Sequence, residues 1–269
     1  YIEEYTMNRF IAAMDHSGGS TGGVLERYEQ EYTEENKMDL VNDMRLRMIN
    51  SPKFTSTYIW AAILYKDSVD KGLAYHLNAK DIKPFLKIDS GCEDNGYLKY
   101  FRLDDMITYA HEHGCYGTKM RSIVKTDLIM PMILTQQFAL AEKISKSGLI
   151  PIVEPEIPID HPNKADLETQ LYHMLDDHLK EFDGKCIFKL TLPETPNLYK
   201  NFTNHPKVEK VVGLSGGYST LQACDRLGQQ DNISASFSRA LSEGLYAHQT
   251  DDEFTAKISD NIKRISNAS

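Results

Sequence analysis

Eight short apolar or β-branched runs punctuate this chain, and they restrict its fold more than any other feature: residues 10–14, 58–65, 84–88, 115–120, 149–153, 186–191, 208–214 and 233–237. The stretches between them carry helical spacing instead. Met38, Val41, Met44, Arg45 and Met48 fall on one helical face before the second run, and Phe138, Ala141 and Ile144 before the fifth. Strand alternating with helix eight times predicts an α/β protein whose parallel sheet closes into a (β/α)8 TIM barrel. A length of 269 residues suits one such barrel. No repeat, low-complexity tract or flexible linker interrupts the series, so residues 1–269 read as a single domain, with the acidic run over residues 26–35 as a solvated face.

Composition narrows the function. A net charge of −9 argues against nucleic acid as the principal partner, since binding a phosphate backbone needs clustered Lys and Arg. A small anion in a locally basic pocket remains compatible. Cys92, Cys115, Cys186 and Cys224 show no C-x-x-C pairing and read as reduced thiols of a cytoplasmic protein. The stretch over residues 1–10 is polar and acidic, and no run of about 18 apolar residues occurs, so neither export nor a membrane partner is expected. The chain begins at Tyr1 rather than Met, consistent with a few residues lying upstream.

The polar residues add a second constraint, because a parallel barrel builds its active site at the carboxyl ends of its strands. Asp15 closes the first run, Lys87 the third, Lys119 and Arg121 the fourth, Glu154 and Glu156 the fifth, and Lys189 sits late in the sixth. Ser215, Gly216 and Gly217 follow the seventh, and Ser238 and Arg239 the eighth. Residues two apart on a strand share a face, so Lys119 with Arg121, and Glu154 with Glu156, project together. Any one of these residues, taken singly, is most simply a solvated loop side chain. Seven strand ends converging on one mouth favour a site. Lys189, inside Ile187-Phe188-Lys189-Leu190-Thr191, is the hardest to dismiss: interior lysines are rare unless paired, and a desolvated amine suits Schiff-base chemistry.

The segments Ala13-Met14-Asp15-His16-Ser17-Gly18-Gly19-Ser20, Lys87-Ile88-Asp89, Gly117-Thr118-Lys119-Met120-Arg121, Pro151-Ile152-Val153-Glu154-Pro155-Glu156, Phe188-Lys189-Leu190, Leu214-Ser215-Gly216-Gly217 and Ser236-Phe237-Ser238-Arg239-Ala240-Leu241 occur in that order. Together they resemble class I fructose-bisphosphate aldolase, in its compact bacterial form. The resemblance implies a lyase of glycolysis and gluconeogenesis that needs no metal or cofactor. Its partners would be small sugar phosphates; oligomeric state stays open. Carried onto this chain, it makes Lys189 the Schiff-base amine and Glu154 the acid/base for dehydration. Glu156 is expected beside Lys189, tuning proton traffic. Asp15 would take the C4 hydroxyl proton. Lys119 would repel protonation of the lysine amine and steady the carbinolamine oxygen, and Lys87 would bind substrate hydroxyls. Arg121 would position the sugar or its distal phosphate. Ser215, Gly216, Gly217, Ser238 and Arg239 would hold the proximal phosphate, and Ser17 and Ser20 the other.

Two departures bear on this reading. Animal members end in a catalytic tyrosine on a mobile tail, whereas this chain stops at Ile265-Ser266-Asn267-Ala268-Ser269, so that role is expected to be missing or filled otherwise. Thr21-Gly22-Gly23-Val24 stands where the family often places a basic residue for the distal phosphate, which leaves another ketose phosphate as an alternative substrate. A catalytically silent sugar-phosphate-binding barrel is a further alternative. Gly213-Leu214-Ser215-Gly216-Gly217 matches the G-x-S-x-G elbow of hydrolases, but only His248 follows it, and hydrolase chemistry gives the lysines no role. His111, His113, His173 and His178 read as solvated helix residues rather than zinc ligands. Met120, Met130, Met132 and Met174 read as core fillers or loop anchors.

Overall fold

The structure, a computed structural model, describes residues 9–269. The polar N-terminal stretch therefore lies, apart from Arg9 and Phe10, outside the described residues. β1 (Phe10–Met14) leads through α1 (Ser20–Arg27) and α2 (Lys37–Asn50) into β2 (Ile59–Leu64). α3 (Lys66–Asp70) and α4 (Leu73–Asn78) lead to β3 (Lys83–Lys87), α5 (Leu103–Glu112) to β4 (Gly117–Ile123), and α6 (Met130–Lys146) to β5 (Ile150–Glu156). α7 (Lys164–Glu181) precedes β6 (Cys186–Thr191), a 3-10 helix (Lys200–Asn204) precedes β7 (Val208–Leu214), and α8 (Thr220–Leu227) precedes β8 (Ser234–Ala235). α9 (Arg239–Ser242) and α10 (Asp251–Ala268) follow.

The strands form one eight-stranded sheet in sequential order, β1 to β8, and neighbours pair in parallel. It curls into the expected (β/α)8 barrel. The seam is thin: Ala13 N–H donates to the Phe237 carbonyl at 3.5 Å. Three strands match their apolar runs end to end, and three others differ in ways that affect the site. β4 and β5 run on to Ile123 and Glu156, because Arg121 pairs in register with Glu154 and Ile123 with Glu156. Their charged residues are thus held in the sheet rather than in loops. β8 pairs over only two residues, where five were expected.

Side-chain alternation along the strands sets up the mouth. Ile11, Phe85, Ile152, Ile187 and Val212 pack together inside the barrel. Two residues further along the same strands come Ala13, Lys87, Glu154, Lys189 and Leu214, all facing the cavity above that apolar plug. The second core lies between sheet and helices. There α2 buries Val41, Met44, Arg45 and Met48, and α6 buries Phe138, Ala141 and Ile144, as their spacing predicts. Two expectations for this layer are corrected. His178 is not a freely solvated side chain: its ring stacks on Phe138 with centroids 4.7 Å apart. Met120 and Met130 are buried, whereas Met132 is exposed and fills no gap.

The β3–α5 loop folds back as a small hairpin closed at Cys92 and Leu98, and Ile123 N–H donates to the Gly96 carbonyl at 3.1 Å. Gly96 has φ +90, and a Cβ there would sit 1.8 Å from the Ile123 carbonyl oxygen. Both the left-handed backbone and the contact demand glycine. Gly96→Ala is therefore expected to cost about 3 kcal/mol of stability through strain and overpacking, read as a lowered urea midpoint. A wild-type midpoint would show that the loop yields freely.

Candidate active site

A cavity of about 340 Å³ opens at the carboxyl ends of the strands. Of the fourteen residues expected there, only Ser17 does not line it, and Ser17 still accepts a hydrogen bond from Lys87 at 2.9 Å.

Four side chains of alternating charge run across the mouth. Lys189 Nζ lies 3.3 Å from Glu154 Oε1, Lys119 Nζ lies 2.9 Å from Glu154 Oε2, and Lys119 also donates to Asp15 Oδ2 at 2.9 Å. Lys189 and Glu154 are only 4% and 3% exposed, so these charges are tolerable because they are paired. Burial opposes the ionised form of Asp15, but Lys119, Lys189 and Lys87 outweigh it and hold the carboxyl well below its ordinary range. Burial likewise opposes the Lys119 cation, yet Asp15 and Glu154 raise it above the usual lysine range. Lys119 is thus a fixed cation held between two carboxylates. Glu154 stands between the two amines, one oxygen toward each, so the direct like-charge repulsion expected between them is offset.

Glu156 is placed differently from expectation. It accepts from Arg121 Nε at 2.5 Å, and Lys189 takes its ion pair from Glu154 instead. The contact is diagonal: Arg121 stands opposite Glu154 in the sheet and reaches Glu156 one pleat further out, just as Lys119 stands opposite Ile152 and reaches Glu154. Asp89, two residues beyond Lys87, is buried: it accepts from Arg121 N–H at 3.2 Å and lies 3.7 Å from Lys87 Nζ. On the far side, Gly216 (φ +56) and Gly217 (φ +116) take left-handed conformations that carry the chain past Ile159 toward α8. Ser215, Ser238 and the exposed Arg239 complete that rim.

His16 is a further lining residue that sequence reasoning missed, although its place between Asp15 and Ser17 was the available signal. Ser238 Oγ lies 3.4 Å from each of its ring nitrogens. Burial pushes its imidazole down to about 4, with Asp15 opposing and Arg45 assisting. It is therefore a neutral group at neutral pH. Among the described residues no three His, Cys, Asp or Glu side chains gather in a metal-ligand grouping.

The fold is that of an aldolase barrel. Fructose-bisphosphate aldolase from Plasmodium falciparum, solved in complex with TRAP and a small-molecule inhibitor, superposes with a TM-score of 0.79 over 97% of this chain and 90% of that one, at 20% identity. No protein-family model matches. Sequence relatives carry the assignment further. The class 1 fructose-bisphosphate aldolase of Clostridium acetobutylicum is 40% identical across 100% of this chain and 99% of its own length. That of Synechocystis sp. is 42% identical across 97% and 93%. The chain belongs to the class I fructose-bisphosphate aldolase family, and so to the lyases.

The buried imidazole has a measurable consequence. Because the folded pKa of His16 is depressed, the unfolded chain binds a proton between about pH 6.5 and 4 that the folded chain refuses, so stability falls as pH drops through that window. From pH 7 to pH 5, His16→Asn should lose about 1 to 2 kcal/mol less stability than the unsubstituted protein in urea titrations. Parallel losses in the two proteins would mean that the ring is not held neutral.

Proposed function

We propose that this protein reversibly cleaves fructose 1,6-bisphosphate to dihydroxyacetone phosphate and glyceraldehyde 3-phosphate through a Schiff base on Lys189, without metal or cofactor. The observation that carries this reading is the charge relay from Lys189 through Glu154 and Lys119 to Asp15, with steps of 3.3, 2.9 and 2.9 Å. An amine, an acid/base, a fixed cation and a second base stand in line beneath a small polar rim.

The steps follow from those positions. Glu154, touching Lys189, takes its ammonium proton and the free amine attacks the C2 ketone; one proton from the added nitrogen and the one held by Glu154 then pass to the carbinolamine oxygen, which leaves as water and gives the iminium. Lys119 steadies the developing oxygen charge. Asp15 accepts the C4 hydroxyl proton, the C3–C4 bond breaks, and its electron pair enters the iminium to give an enamine while glyceraldehyde 3-phosphate departs. Protonation at C3 and hydrolysis of the imine then release dihydroxyacetone phosphate and restore Lys189. Lys87 binds substrate hydroxyls. Glu156 orients Arg121, which positions the sugar. Ser215, Gly216, Gly217, Ser238 and Arg239 receive the proximal phosphate, where small residues admit the anion and an arginine grips two oxygens. Ser17 and Ser20 attend the distal one. The four free cysteines support a cytoplasmic setting, and we read residues 1–269 as one catalytic domain.

Sodium borohydride with dihydroxyacetone phosphate should leave a reduced adduct on Lys189, cleavage should survive EDTA, and Lys189→Met should abolish turnover with the fold intact. Turnover by Lys189→Met would overturn the assignment. Arg239→Ala should weaken phosphate-ester binding by about 2 to 4 kcal/mol, read from KM and inhibition by inorganic phosphate. One observation favours a second reading, an aldolase for another ketose phosphate: α1, whose Ser20 lines the cavity, continues as Thr21-Gly22-Gly23-Val24 with no basic side chain among them. Comparing kcat/KM for fructose 1,6-bisphosphate and fructose 1-phosphate separates the two.

A further inference from the structure

Arg45 belongs to α2, outside the barrel wall, yet its guanidinium reaches the active-site turn from behind. It is 1% exposed. Nη2 donates to the His16 carbonyl at 2.7 Å, and Nη1 donates to Ser68 Oγ at 2.7 Å and to Asn42 Oδ1 at 3.4 Å. Ser68 in turn donates to Asn42 Oδ1 at 2.6 Å. All of these acceptors are neutral. Burial pulls the guanidinium down to about 10 against the fields of Asp15 and Asp67, so the group still carries its charge at neutral pH. A buried cation on neutral acceptors is costly, and an apolar side chain of similar length would fill the same space with less penalty. The turn that Arg45 grips is the one that presents Asp15 to Lys119 and Ser17 to Lys87. That turn has left β1, and no strand pairing holds it.

We propose that Arg45 is a positioning residue for the bond-cleaving step: by clamping the His16 carbonyl from the helical layer, it sets the Asp15 carboxylate where the substrate hydroxyl proton must arrive. The inference rests on the reading of Asp15 as the base. It assigns no substrate contact to Arg45. Because Lys189 and Glu154 are carried on other strands, imine formation should not depend on the clamp.

The test compares Arg45→Met, Arg45→Lys and Asp15→Asn by two measurements, fructose 1,6-bisphosphate cleavage and borohydride trapping of dihydroxyacetone phosphate on Lys189. Arg45→Met should lower kcat for cleavage about 100-fold, the scale of a misplaced catalytic group, with trapping of dihydroxyacetone phosphate essentially unchanged. Arg45→Lys keeps the cation but loses one arm of the clamp, and should fall between, about tenfold down. Equal loss of trapping and cleavage would indicate a general structural role and overturn the proposal. So would full cleavage by Arg45→Lys, which decides the matter if Arg45→Met fails to fold. Full cleavage by Asp15→Asn would instead refute the role of Asp15 itself, whatever the Arg45 variants do.

Discussion

The structure turns on a line of paired, largely buried charges. Asp15 follows β1, Lys119 comes from β4, Glu154 from β5 and Lys189 from β6, so the ionic contacts tie together strands that are distant in sequence and, for β1 and β4, not adjacent in the sheet. Beneath them lies the plug of Ile11, Phe85, Ile152, Ile187 and Val212. That apolar floor lowers the local dielectric, which strengthens each pairing and equally raises the cost of leaving any member unmatched. The arrangement also explains why chemistry collects on one rim. An inward residue low in the barrel must be apolar to pack; two positions higher the same face meets the cavity and can carry charge.

Much of this was legible in the amino-acid order. The alternation of apolar runs with helical spacing was enough to reach the barrel, and Lys189 stood out because its neighbours on both sides are strand-forming and apolar. What the order did not reveal was partnership. Period-two alternation says which face a residue takes, but the pairing register between strands decides whom it meets. Long side chains also reach diagonally past their register partners, so Glu156, expected against Lys189, is found with Arg121, and nothing in the segments around Asp89 and His16 shows whom they meet. β8 was overestimated because Ile233 and Phe237 are buried apolar residues, but they are buried outside the ladder that Ser234 and Ala235 form.

Arg45 shows the same limit from the other direction. Its place among Val41, Met44 and Met48 marked it as part of the buried stripe of α2, and buried it is. Nothing local says why a guanidinium should occupy an apolar stripe. The reason appears only when the turn after β1 comes to rest against the helix. Helical layers of barrels are usually discussed as packing, and here one helix extends a polar arm through that layer to the rim of the cavity.

The seam between β1 and β8 carries one further implication. β8 is the shortest strand, and among the described residues its edge closes on β1 through one long backbone hydrogen bond, from Ala13 to Phe237 just beyond β8. The rim elements flanking that gap are Ser17 and Ser20 on one side and Ser238 and Arg239 on the other, with His16 and Ser238 touching across it. On the proposed assignment of these groups to phosphate, a bound sugar bisphosphate spanning them would act as a clasp. The barrel's least-knit edge would then be fastened by the molecule it works on, and guest occupancy and wall integrity would rise and fall together.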